Sequence, residues 1–386
     1  MALVELGSIL HFEKGKKPIS QSDSPADGFL PYVDIEAFET GKIKQYTDGT
    51  KCTPCDDGDI LIVCDGSRSG LVGRAVKGYV GSTLAKISAD CLSDQYLFHF
   101  VQGKYALLNT KKKGTGTPHL NQELLKQQKL IVPSYSEQER IVARIEELFS
   151  QLDAGVETLK KTKAQLAVYR QAVLKEAFEG DYPRKQLKEF SKAISGFAFK
   201  SSRYSPDGNY VVVKIGNVKE RHFDFSRDLT KTLEADDSIL EKYLLRRGDC
   251  LITLTGSRGK RDYGFVAMVG NQNNYLLNQR VAALRFDQSV ALPEFFQYYL
   301  ASPSYRDMFF GYETGNVGQG NVGIKALLDP NVILPDIDTQ KRIVEDVEDR
   351  LSVCDSIEQT VDTALQQAEA MRQSILKDAF EGRLLE

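Results

Sequence analysis

Two halves of this chain carry matching sets of basic and polar side chains that could hold a polyanion. In the first half, Lys14, Lys16 and Lys17 crowd one short segment after a helix-like stretch. Arg68 and Arg74 lie in the glycine-rich run Gly66-Ser-Arg-Ser-Gly-Leu-Val-Gly-Arg74, which follows a strand expected at residues 60–63. Lys111, Lys112 and Lys113 lead into Gly114-Thr-Gly-Thr-Pro-His-Leu-Asn121, which adds Thr115, His119 and Asn121. In the second half the corresponding sets are Lys200 with Arg203, then Arg258, Lys260 and Arg261, then Tyr312, Asn316, Gln319 and Asn321. Ammonium and guanidinium groups neutralise phosphates, while Arg, Asn, Gln, Ser and Thr can address base edges. Arg68 and Arg258 are the candidates for guanine edges or nearby phosphates, because a guanidinium can donate twice in one plane. Loops on a rigid scaffold are where such groups belong. Lysine runs also serve as plain solvated faces, and Gly-Ser-Arg-Gly also makes a plain turn.

The chemistry of catalysis is not visible. There is no Pro-Pro dipeptide, no acidic residue followed two places on by lysine, and no Gly-x4-Gly-Lys-Ser/Thr phosphate loop. The four histidines, at 11, 99, 119 and 222, are scattered. Cys52-Thr-Pro-Cys55 has the spacing of half a zinc site but lacks a second close pair, so no metal is expected.

A chain of 386 residues with 41% hydrophobic content can build two or three cored domains. No apolar run reaches the roughly 18 residues of a membrane span. The first residues, Met1-Ala-Leu-Val-Glu5, lack a basic segment followed by an apolar one. Six cysteines in this length suit free thiols in a reducing cytoplasm. The net charge of -3 hides a division. Residues 1–133 hold 16 basic and 15 acidic side chains, and residues 181–334 hold 21 and 17. Residues 134–180 hold 7 and 8, and 335–386 hold 6 and 13. The acid therefore concentrates in two segments that need not meet phosphate.

Those two segments are copies. Residues 133–180 align without a gap with 335–382 at an offset of 202, with 18 identities in 48 positions. The flanks repeat more loosely: Gly58-Asp-Ile-Leu-Ile-Val-Cys-Asp-Gly-Ser67 matches Gly248-Asp-Cys-Leu-Ile-Thr-Leu-Thr-Gly-Ser257. Each copied segment reads as a long helix without internal proline. Ser136 and Glu139 form a capping-box pattern, Asp338 takes the cap in the second copy, and Gly180 and Gly382 stand at the ends. Ile145, Phe149, Leu166 and Val173, and in the second copy Val347, Leu351, Val361 and Ala379, mark near-heptad stripes with defects at Lys163 and Arg170. Such stripes predict that the two helices pair, antiparallel. The expected plan is four segments: a globule at 1–133, a helix at 134–180, a globule at 181–334 and a helix at 335–386. Short strands at 32–35, 60–63, 211–215 and 250–254, with helical stretches at 92–108 and 293–300, make the globules mixed α/β (α+β). An internal tandem repeat of this kind predicts pseudo-twofold symmetry.

Pro133-Ser-Tyr-Ser-Glu-Gln-Glu-Arg-Ile-Val142 resembles the start of the repeated region in specificity subunits of type I restriction-modification enzymes. Val173-Leu-Lys-Glu-Ala-Phe-Glu-Gly180 and Ile375-Leu-Lys-Asp-Ala-Phe-Glu-Gly-Arg-Leu384 resemble its end. Gly114–Asn121, with Gly318-Gln-Gly-Asn-Val322 as a looser counterpart, resembles the polar element closing that family's recognition domains. Asp338-Thr-Gln340 departs from the Ser-Glu-Gln pattern. The resemblance spans the chain. It implies two target-recognition domains, each reading one half of a bipartite site in double-stranded DNA. It implies spacer helices that dock two methyltransferase subunits, which bring S-adenosylmethionine, and a restriction or motor subunit that can join. It implies no catalysis by, and no cofactor in, the chain itself. The competing reading is a coiled-coil adaptor that binds protein partners without DNA recognition.

Overall fold

The computed structural model describes residues 2–114, 116–232, 235–316 and 318–385. The chain forms two compact units, Met1–Lys160 with Asp362–Glu386, and Lys161–Val361. Each contains one globule and part of each of two long helices, Tyr135–Ala177 and Ile337–Phe380. The mixed α/β class and the antiparallel helix pairing read from sequence are both found.

In the first unit the central strand is Ile60–Val63, buried along its whole length. Its alternating side chains enter two separate cores. Ile60 and Ile62 join Ile87, Leu97 and Phe100, and Leu61 and Val63 join Val33, Val80 and Leu84. A four-residue apolar, β-branched run suits a strand covered on both faces. The sheet order is Leu10–Lys14, Leu84–Ala89, Ile60–Val63, Val72–Arg74, antiparallel throughout. Strand Ala2–Glu5 pairs with Lys129–Val132 and so closes the globule just before the first long helix.

The second unit repeats the design. Its sheet runs Ser191–Ser195, Val281–Phe286, Cys250–Thr253, Val266–Met268. Cys250 and Ile252 face one core and Leu251 faces another. Arg184–Gln186 pairs with Asn331–Ile333 in the closing position. The Gly-Asp pair before each central strand is a turn device. Asp59 accepts from the Asp56 amide at 2.9 Å, and Asp249 accepts from the Arg246 amide at 2.8 Å.

Both units pair the start of one long helix with the end of the other. In the first, Ile145 and Phe149 pack on Leu376 and Ala379. In the second, Val173 and Leu174 share a core with Val347 and Leu351. The helix starts are pinned by glutamines that the repeat places identically. Buried Gln138 donates to the Cys91 and Pro133 carbonyls and accepts from the Ser93 amide. Buried Gln340 donates to Val290 and Pro335 and accepts from Leu292.

Several details differ from the sequence reading. The helix-like stretch before Lys14 is a short 3-10 turn, Leu6–Ser8, followed by strand Leu10–Lys14. The stretch at 92–108 is two helices, Asp94–Gly103 and Tyr105–Thr110. The first long helix is capped by Ser134 with Glu137, not by Ser136 with Glu139. Asp336, not Asp338, caps the second, accepting from the Thr339 amide at 2.9 Å. Gly382 takes the left-handed conformation (φ 84°) of a C′ glycine, but Gly180 does not.

Candidate nucleic-acid interface

In the first globule the chain leaves the central strand at Cys64 and turns back at Gly70. Ser69, fully buried, donates through its hydroxyl to the Gly66 carbonyl at 2.7 Å. A hairpin closed by Lys113 and His119 lies against this loop. The Leu120 amide donates to the Cys64 carbonyl and the Gly66 amide to the Pro118 carbonyl. The hairpin needs Gly114: its φ is 93°, and a Cβ there would lie 2.7 Å from the Thr117 carbonyl oxygen.

Asp65 is the hub of the side chains. Its carboxylate accepts from the Lys14 ammonium at 3.0 Å and meets His119 Nδ1 at 2.7 Å. Burial pushes the Asp65 carboxyl up, but the bonds from His119 and Lys14 outweigh it and hold it below the ordinary carboxylate range. An ionised Asp65 can only accept, so Nδ1 of His119 carries the hydrogen and Nε2 is left for another partner. Lys112 braces the loop through the Ser67 carbonyl at 2.9 Å. Arg68 is exposed and pairs with Glu39 at 2.5 Å. Lys113, which closes the hairpin, is exposed, as are Lys111 just before it and Lys16 and Lys17 just after Lys14.

Two candidates take other roles. Arg74 ends strand Val72–Arg74, away from the loop. Its guanidinium donates to the Gly58 carbonyl and to Gln95, over the Phe98 ring. Strand pairing, invisible in a glycine-rich run, moved it. Asn121 is the N-cap of helix Gln122–Lys126, its side chain accepting from the Leu124 amide. Thr115 lies outside the described residues. Cys52 and Cys55 turn to different backbone carbonyls, those of Thr50 and Val76. Burial pushes the Cys55 thiol up to about 11.

The second globule builds the same site from different side chains. Thr255–Gly256 pairs with Gly320–Asn321, and Val322 donates to the Leu254 carbonyl as Leu120 does to Cys64. Gly315 (φ 128°) opens this hairpin, and a Cβ there would lie 2.2 Å from the Gln319 carbonyl oxygen. Arg258 reaches the Gly315 carbonyl at 2.8 Å. Arg261 pairs with Asp307 at 2.7 Å. Lys260, Tyr312, Asn316, Gln319 and Asn321 are exposed along the same loops. Lys200 and Arg203 are exposed at a one-turn helix, Ser201–Arg203, and no bond among the described residues ties them to this cluster.

Sequence reasoning missed Arg280. Its carbonyl accepts from the Leu254 amide, which sets it beside the loop, and its side chain is exposed. Its φ of 68° is left-handed, a conformation that costs any residue with a Cβ energy. The polar run Asn278-Gln279-Arg280 before an apolar strand was the available signal.

A repeated sheet that presents a loop and hairpin lined with cations, beside helices that pair with each other, defines a two-part recognition protein. The family model for the type I restriction modification DNA specificity domain matches residues 1–167 and 179–367, and the chain belongs to that family. It is 25% identical to the type I restriction enzyme MjaVIII specificity subunit of Methanocaldococcus jannaschii, over 99% of this chain and 92% of that protein. Its fold is similar to a chain from a structure of a type I R-M system, with TM-score 0.75 and 20% identity, covering 99% of this chain and 98% of the other. The HsdS subunit from Thermoanaerobacter tengcongensis is also similar in fold, with TM-score 0.54 and 20% identity, covering 99% and 97%.

Proposed function

We propose that each globule reads one half of a bipartite site in double-stranded DNA, and that the chain catalyses nothing itself. The observation that carries this reading is the loop and hairpin built twice on one backbone plan with different side chains. Recognition of two unlike half-sites requires that combination. The two long helices set the gap between half-sites and dock two methyltransferase subunits, which bind S-adenosylmethionine; a restriction subunit joins the same assembly. The repeat supports this, because equivalent helical segments suit two copies of one partner. No described helix is long and apolar enough to cross a membrane, and six free thiols suit work in the cytoplasm.

The test is to co-express the chain with the modification subunit encoded beside it and map methylated adenines across the host genome. A single two-part motif with a fixed gap is expected. A complex that forms and leaves no motif would overturn the reading in favour of a protein-binding adaptor.

A further inference from the structure

His119 and Asn321 occupy one structural position in two different halves of the chain. His119 lies opposite Asp65 and Asn321 opposite Thr255. Asp65 and Thr255 are themselves equivalent, each the second residue after the central strand. The next residues, Leu120 and Val322, make the same backbone bond to Cys64 and Leu254. Each hairpin opens on a left-handed glycine, Gly114 or Gly315. Both side chains are exposed on this frame.

We infer that positions 119 and 321 are base-reading positions of the two globules, with Asp65 as the positioning residue for His119. This rests on the DNA-recognition reading above. The frame is held by backbone bonds and by the hairpin glycines, not by the side chains at 119 and 321, so the side chain at this position is free to differ without disturbing the fold. The side chains that stand there are neutral or weakly basic hydrogen-bonding groups, while full cations flank them. That division suits an edge reader between phosphate contacts.

The chemistry at each position is specific. The Asn321 amide has no hydrogen-bond partner among the described residues, and the Thr255 hydroxyl behind it is buried and makes no bond. A free amide offers a donor and an acceptor side by side, the complement of adenine N6 and N7 in the major groove. His119 is different because Asp65 takes Nδ1. That leaves Nε2 as the ring nitrogen able to meet a base edge. Asp65 acts through His119 and does not touch DNA.

The experiment uses the purified complex of the full chain with its modification subunit and a pool of randomised DNA duplexes. Wild type is expected to select a two-part motif. Asn321→Asp loses the donor and keeps acceptors, so one base of one half should move from adenine toward cytosine by about tenfold or more. Asn321→Ala should relax the same base. His119→Asn should alter one base of the other half. Asp65→Asn should alter that same base, whereas damage to the fold would weaken every position together. Lys113→Ala should lower affinity without changing the motif. If wild type selects a two-part motif and the variants at 119 and 321 select it unchanged, the inference falls and the DNA reading stands. If wild type selects nothing, both fall.

Discussion

Arg170 donates through Nη2 to Asp355 at 2.6 Å, pinning the long helices of the second unit together. Its other terminal nitrogen, Nη1, donates to Glu358 at 2.6 Å, and Lys163 approaches the same carboxylate at 3.3 Å. At the offset of 202 residues, Arg170 becomes Arg372 and Asp355 becomes Asp153. Arg372 pairs with Asp153 in the first unit. The two defects in the apolar stripe are therefore partners of one carboxylate, and Arg170 belongs to a twice-used cross-helix pair. A uniform apolar seam tolerates sliding by a heptad; a charge that must meet its partner does not.

This pair should show in the acid stability of the protein. The bond from Arg170 holds the Glu358 carboxyl below the ordinary glutamate range, with Lys163 adding to it. A depressed carboxylate stabilises the fold above its unfolded value, about 4.3, and loses that contribution as pH falls through the folded value. Melting temperature should thus drop below about pH 4. In Arg170→Ala the melting temperature at pH 7 should be lower and the acid drop shallower. Thermal melts from pH 7 to pH 3 check this, and parallel curves for the two proteins would refute it.

Gln340 should matter more than an exposed cap. It is buried, and its amide satisfies two carbonyls and one amide. Gln340→Leu keeps the volume and strands those groups, at about 1–3 kcal/mol for each buried group left unmet. Urea denaturation followed by circular dichroism should show a lowered midpoint. Thr339→Ala, at a half-buried position beside it, removes a side-chain bond to the exposed Asp336 and should cost far less.

These glutamines also show what could be read in advance. Both Ser134-x-x-Glu137 and Ser136-x-x-Glu139 fit the capping pattern, so local sequence left two starts for the helix. The choice is made by Gln138, which must face the globule to reach Cys91 and Ser93. That is a tertiary demand, absent from the spacing. The central strands at 60–63 and 250–253 were legible because an apolar β-branched run covered on both faces is a strong signal. Arg74 was misplaced because glycines in Gly66–Arg74 hide where the loop ends and the return strand begins. The equivalence of His119 with Asn321 was present in the offset of 202, which extends back past the helix to this point. The unequal hairpins before it, with Gly114 and Gly315 one place out of step, concealed it.

Asp249 should be the most sensitive charge in the second globule. It is buried and takes both arms of Arg285, at 2.7 and 2.6 Å. Asp249→Ala would leave that guanidinium, 27% exposed, without its partner. Removing one member of a fully buried pair costs about 3–5 kcal/mol, and the access of Arg285 to solvent brings the cost toward the lower end. Soluble yield and melting temperature should fall sharply. The exposed pair of Arg261 and Asp307 is the comparison, since pairs in solvent contribute about 1 kcal/mol or less. Asp307→Ala should therefore leave the melting temperature nearly unchanged.

Lys16 and Lys17 should act on DNA through charge alone. Both are exposed beside Lys14, which Asp65 ties to the reading loop. An ammonium on a flexible stem neutralises a phosphate and does not distinguish bases. Each phosphate neutralised releases counterions, so log affinity falls with log salt by about 0.9 per contact. Replacing both lysines with alanine should lower affinity for specific and random duplexes by similar factors. The salt slope should become shallower by up to about 2. Fluorescence anisotropy at several salt concentrations, on the complex with its modification subunit, measures both quantities. A double variant that loses specific binding but keeps the wild-type slope would place these lysines on bases, and one that changes neither would remove them from the interface.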